Sequence, residues 1–202
     1  MSNGIDAKFV QERYEKMSND ELIYLVTHDG AGLTPAALVI AKNEIAKRGL
    51  KGGYADALEM QNKTYTIEEI DAYCSLINDL KCPICGERST PLNGTVTTEV
   101  ISFILMMQTR TAVYVGCPDC LDDLSNAALN KTVILGWWSF WGIFKTIGAI
   151  IDNIKYKRAN HYESPNIALR YFVLSHIGLI ELHKNDRTML DQLIAKHNMT
   201  CA

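Results

Sequence analysis

The chain is 202 residues long, 48% hydrophobic and 21% charged, a size that fits one domain with an extension or two small ones and a balance that excludes global disorder. Its net charge of −3 argues against a general nucleic-acid binder, which needs surplus lysine and arginine to displace counterions from phosphate. Charge is unevenly spread: residues 1–81 carry 9 basic and 13 acidic groups, 82–131 carry 3 and 5, and 132–202 carry 8 and 5, so only the C-terminal third is net positive.

The opening "MSNGIDAKFVQERYEK" has no basic stretch followed by an apolar one, so no secretory signal is expected. Without export the six cysteines stay reduced in the cytosol, which disfavours a disulfide framework. In "MSNDELIYLV" Ser18 and Glu21 form a capping box, and in "LTPAALVIAKNEIAKRGL" Thr34 caps, Pro35 takes the first helical position and Gly49 follows a basic last turn. These signals, joined by the short "HDGAG" linker, predict a helical hairpin over about 18–49, read as a packing module. Residues 50–65, including "KGGYAD", read as a polar connection. A second capping box, Thr66 with Glu69, opens a helix that runs towards Cys82 and contains Cys74, expected to be a buried, inert thiol.

"KCPICG" and "GCPDC" place Cys82, Cys85, Cys117 and Cys120 in a C-x2-C-x31-C-x2-C pattern. Two residues between cysteines let each pair aim both sulfurs at one point, and proline after the first cysteine suits a tight turn. Four thiolates then complete a tetrahedron, the arrangement structural zinc favours. Between the pairs, Pro91, Asn93 and Gly94 mark a turn, and "TVTTEVISFILMM" and "TRTAVYVG" are rich in β-branched and aromatic residues, as strands are. Over about 78–122 the segment resembles a zinc ribbon with two cysteine knuckles. The resemblance implies structural Zn2+, preferred to a rubredoxin-like iron. Four protein ligands leave no open position for water or substrate, so the metal is expected to be structural. The loop between the pairs holds Glu87, Arg88, Glu99 and Arg110, a zero balance, which favours protein contact over phosphate recognition.

After Cys120, "LDDLSNAALNK" is helical in character. It leads to "GWWSFWG", which holds all three tryptophans, inside a run from 132 to 151 whose only charge is Lys145. On a helix, Phe140, Ile143, Phe144, Ile147, Ile151 and Ile154 form a bulky stripe, with Gly142, Thr146, Ala149 and Asn153 on a small, more polar side. Three readings compete. The stripe packs in the core against a helix over 165–183, which is narrowly preferred. Alternatively it lies in a membrane interface, with Trp137, Trp138, Trp141 and Phe144 at the headgroups and Lys155, Lys157 and Arg158 adding about 1 kcal/mol each near anionic lipid. A true span ranks last, because the positive flank would put the reduced thiolates outside. The order of hairpin, ribbon and "LGWWSFWGIFKTIGAI" looks like a class of small bacterial proteins in which a two-knuckle ribbon runs into a Gly-Trp-Trp segment, a likeness over about 78–155 that carries no activity.

"SPNIALRYFVLSHIGLIELHK" predicts a long helix and "DRTMLDQLIAKHN" a last one, with Met189 or Leu190, Leu193, Ile194 and His197 along one side. Histidines 28, 161, 176, 183 and 197 read as surface groups. No phosphate-cradling loop, nucleophile elbow or HExxH is present. The expectation is an α+β protein with an N-terminal helical hairpin and linker (1–65), a zinc ribbon of short antiparallel strands with flanking helices (66–131), and a Trp-rich apolar segment with C-terminal helices (132–202). The expected role is a non-enzymatic zinc scaffold or adaptor, cytoplasmic, in which the segment from Trp137 to Ile154 and the ribbon strands present the surface for a protein partner. A peripheral protein on the inner face of an anionic membrane is the alternative, and a nucleic-acid-binding ribbon the weakest reading.

Overall fold

The computed structural model describes residues 7–103, 106–138 and 140–201, and the side chains of Phe140 and Trp141 lie outside the described set. The protein is α+β, with helices at both ends and a two-stranded antiparallel sheet in the centre. Its contacts define two compact units, Met1–Thr66 with Leu174–Asn185, and Ile67–Val173 with Asp186–Ala202.

The first unit is helical: α1 Ala7–Lys16, α2 Asn19–His28, α3 Pro35–Lys47, α4 Tyr54–Gln61 and, from the far end of the chain, α9 Ile177–His183. The expected hairpin is α2 and α3. Ser18 and Glu21 form the reciprocal capping box, and the Thr34 hydroxyl accepts from the Ala37 N–H. Tyr14, Leu22, Val26, Ala41, Ile45 and Leu58 form the core. Arg48 fastens α1 to it, donating to Glu44 Oε1 at 2.6 Å and to the carbonyls of Met17 and Tyr14 at 2.6 and 2.7 Å. The stretch read as a polar connection contains α4. Ala57 and Leu58 are fully buried there, and an apolar anchor outweighs the polar residues around it. The two glycines before it supply left-handed backbone, Gly53 at φ +77° forming the N-cap. Gln61 and Asn62 at the end of α4 then bind the loop after α2, through Val26 O, Gly30 N, Gly30 O and Gly32 N.

The second unit contains α5 Ile67–Asn78, the strands β1 Asn93–Phe103 and β2 Met106–Gly116, α6 Pro118–Leu135, α7 Phe140–Ala159, α10 Arg187–Cys201 and, as far as Val173, α8 Ile167–Ser175. The register pairs Asn93 with Gly116 and Phe103 with Met106, so residues expected to form a turn before the strand, Asn93 and Gly94, already belong to it. Helices α6 and α7 both pack against β1, and α10 packs against β2. Asp71 and Arg170 form a two-pronged ion pair, at 2.7 and 2.9 Å, between α5 and α8. Cys74 is fully buried. Burial, reinforced by the Asp71 carboxylate against the pull of Arg170, pushes its thiol up to about 12.

The single helix expected over 165–183 is two helices, α8 and α9, broken at His176, whose φ of −121° leaves the helical region. In the last helix the buried pair is Leu190 and Ile194, while Met189 stays exposed. His197 is no surface group: its ring meets Phe172 edge-on at 4.8 Å and its Nε2 lies 3.0 Å from the Val113 carbonyl.

The tryptophan-bearing helix is reversed relative to the core reading. Thr146, Ala149 and Asn153 are buried, and Gly142 with them, whereas Ile143, Phe144, Ile147, Ile151 and Ile154 are exposed. The reason is the sheet edge. Among the described residues β1 has no strand on its outer side, and its backbone there is hydrogen-bonded by side chains instead. Asn153 accepts from Thr98 N–H at 2.9 Å and donates to Thr98 O at 2.8 Å. The Thr132 hydroxyl accepts from Val100 N–H at 3.2 Å, and Asn166 donates to Gly94 O at 2.6 Å. A two-stranded sheet needs these polar partners more than it needs isoleucine, so the small face turns inward. On the outer side of β2, Asn198 repeats the clamp around Val115 at 3.1 and 2.8 Å. Among the described residues no helix is long and apolar enough to cross a membrane.

Candidate metal centre

Cys82 and Cys85 lie on a tight turn after α5. Cys82 N–H donates to Glu87 O and Gly86 N–H to Cys82 O, both at 2.8 Å. Gly86 sits at φ +79°, a left-handed position that glycine adopts without steric cost. This is the expected knuckle. The second pair is built differently. Cys117 is the N-cap of α6, Pro118 takes the first position and Cys120 lies in the first turn, so this pair arrives from a helix start rather than from a second hairpin knuckle. Proline after the cysteine served equally well as a signal for either, since its fixed φ suits a turn and a first helical residue alike.

The hairpin of β1 and β2 joins the two pairs and carries its last residue, Gly116, to the cluster. A side chain at 116 would stand 3.1 Å from Ile84 Cδ1 and 3.6 Å from Cys82 Sγ, so glycine gives the strand end room to approach. The sequence offered no signal for this closeness. The four sulfurs lie within 4.8 Å of one another, and Cys85 and Cys117 sulfurs are 3.8 Å apart. A tetrahedral ion with metal–sulfur bonds of 2.3 Å requires sulfurs about 3.8 Å apart, so the arrangement fits a metal such as zinc. Four soft thiol donors also suit zinc or iron far better than a hard, oxygen-seeking cation.

The electrostatics point the same way. Burial pushes the Cys82 thiol up, but N–H groups of Cys117, Cys85 and Ile84 directed at its sulfur outweigh that and bring it down to about 7. Cys117 N–H lies 3.4 Å from that sulfur. Burial and the neighbouring thiols raise Cys117 and Cys120 above the ordinary thiol value. Several thiolates this close repel one another, and a divalent cation among them removes the repulsion. Cys82 and Cys117 are buried, Cys120 is half-buried, and Cys85 is exposed.

Of the other residues considered, all but His28, His176 and His183 fall elsewhere in the second unit. Trp137, Trp138 and Phe144 are exposed, as are Lys155 and Arg158. The side chain of Trp141 lies outside the described residues. Lys157 turns inward, its Nζ donating to Asn126 Oδ1 at 2.7 Å. Arg88 and Arg110, considered for phosphate contact, bind carbonyls of their own chain, Asp79 O at 2.9 Å and Cys201 O at 2.7 Å. His161 pairs with Asp122 at 3.1 Å, and His28 stacks on Tyr24 at 4.4 Å.

No family model, curated protein or solved structure matches the chain.

Proposed function

We propose that the protein is a non-enzymatic scaffold in which a four-thiolate zinc ion locks the Cys82–Cys85 turn to the start of α6 and so holds a contact surface in place. The observation that supports this reading is the convergence of four sulfurs within 4.8 Å. When all four ligands come from the chain, no position is left for water or substrate, and the ion contributes folding free energy instead of reactivity. The Cys117 N-cap links that ion directly to α6, whose packing on β1 carries α7 and its exposed residues. Iron is the second choice of metal.

Elemental analysis of freshly purified protein tests the reading, with one zinc expected per chain. Chelation, or Cys117→Ser, should cost much of the about 10 kcal/mol that structural zinc supplies in small domains, enough to unfold the region around the hairpin. Metal-free protein with unchanged stability would refute the scaffold. So would turnover of a substrate that depends on one of these thiols.

A further inference from the structure

The exposed face of α7 and the corner before it form an apolar surface that the scaffold reading leaves without a named partner. We infer that this surface docks on an anionic lipid bilayer, lying in its headgroup region without crossing it. This deepens the scaffold reading and rests on it only for the idea that the metal holds the surface in place.

The apolar side chains come from three elements. Phe103, Met106 and Met107 stand at the end of the β-hairpin, Ile134, Trp137 and Trp138 at the end of α6, and the isoleucine stripe along α7. Ser102 joins the first two groups: its hydroxyl donates to Gly136 O at 2.7 Å and accepts from Trp138 N–H at 2.9 Å. From Ile143 to Ile154 the stripe runs about 16 Å along a helix, a length suited to a flat boundary. Trp138 is 65% exposed and Phe144 65%, values that place large aromatic groups in contact with solvent. The indoles are prepared for an apolar phase. Trp137 Nε1 donates to Val133 O at 2.7 Å and Trp138 Nε1 to Ile134 O at 3.2 Å, so neither ring carries a bare donor into the interface.

Charge selects the occupant. No acidic side chain occurs between residues 124 and 151. Counted around α7 from Ile147, Arg158 lies about 20° away and Lys155 about 80°, whereas Asp152, the acid of this helix, lies about 140° away. The stripe is therefore bordered by cations on its solvent side. A second copy docked through this same face would set Lys155 and Arg158 against their own equivalents, with Asp152 well off the stripe. A surface of anionic headgroups over hydrocarbon supplies both the charge and the apolar phase that this face lacks.

The test uses the full zinc-loaded chain and vesicles of phosphatidylcholine, alone or containing phosphatidylglycerol. Co-sedimentation with the phosphatidylglycerol vesicles is expected, weakening with salt, together with a blue shift of tryptophan emission, which reports only on residues 137–141 because the three tryptophans lie there. Lys155→Gln with Arg158→Gln should lower the partition about 25-fold, at about five-fold per charge. Trp138→Ser with Ile151→Ser should abolish it while leaving zinc content and thermal midpoint unchanged, since both side chains are exposed. Absence of sedimentation, equal binding to phosphatidylcholine alone, or binding that survives Trp138→Ser with Ile151→Ser would overturn the proposal. A vesicle-free dimer dissolved by that double change would overturn it as well, because the surface would then be covered by a second copy. Metal analysis separates the two readings: vesicle binding by a metal-free chain defeats only the scaffold, and a zinc-loaded chain that ignores vesicles defeats only the lipid surface.

Discussion

A side-chain amide presents one donor and one acceptor at the spacing of a peptide group, and Asn153 and Asn198 use it to take the place of a missing strand beside Thr98 and Val115. Asn153→Ala leaves Thr98 N–H without its partner in a part-buried edge, and a loss of about 2 kcal/mol in chemical denaturation is expected. The sequence placed Asn153 correctly on the small face of its helix. It could not say that this face goes inward, because an exposed asparagine and an edge-capping one look alike until the strand beside it is located. His197 shows the same limit. Burial lowers its pKa, against the raising effect of the Val113 carbonyl, so the neutral ring is the form the fold favours. The unfolded chain therefore binds the proton first as pH falls. The stability contributed is complete above the ordinary imidazole value of about 6.5 and is lost as pH drops from there towards the depressed folded value. Comparing denaturation at pH 7.5 and pH 5 for the parent and His197→Gln checks this, with the smaller pH dependence expected in the variant.

Among the elements, those with strong local signals were legible. The capping box at Ser18 and the Thr34-Pro35 pair located α2 and α3, and the β-branched runs located both strands, although Met106 and Met107, read as the end of the first, open the second. The misreadings arose where tertiary contacts overrode local composition. α4 forms in a glycine-led stretch because Ala57 and Leu58 are buried, and the helix expected over 165–183 breaks at His176. α7 was recognised as an amphipathic helix, and the narrowly preferred core reading turned its bulky face inward because hydrophobicity was weighed without the hydrogen-bonding needs of β1. Close approach explains one glycine of β1. A side chain at Gly94 would stand 2.5 Å from Leu169 N and 2.8 Å from the Ala168 carbonyl carbon, both rigid backbone of α8. Gly94→Ala should therefore force β1 and α8 apart and lower stability by about 2 kcal/mol, an overpacking cost readable as a lowered thermal midpoint.

On the scale of the whole molecule, the cysteine spacing was the most informative pattern in the chain, since it named all four members of the cluster before any geometry was known. The helical origin of the second pair was not legible, because proline is at home in both settings. The division into two units was equally hidden, as each unit draws on two separate stretches of the chain. Hydrogen exchange followed after chelation should report that division. Amides of β1, β2 and the first turns of α6 are expected to lose protection, and those of α2 and α3, buried around Leu22, Val26 and Ile45, to keep it.

The interleaved order of the chain also governs how the protein emerges from the ribosome. Residues 7–66 are translated well before Ile177 and Ile180 of α9, which fill the same unit and follow more than a hundred residues later. At about 5–20 residues per second the nascent helices wait about 5–20 s for them. Throughout that interval α4 lacks the neighbour whose Gly178 closes over Ala57, and the flank of α4 that α9 covers stays open on the growing chain.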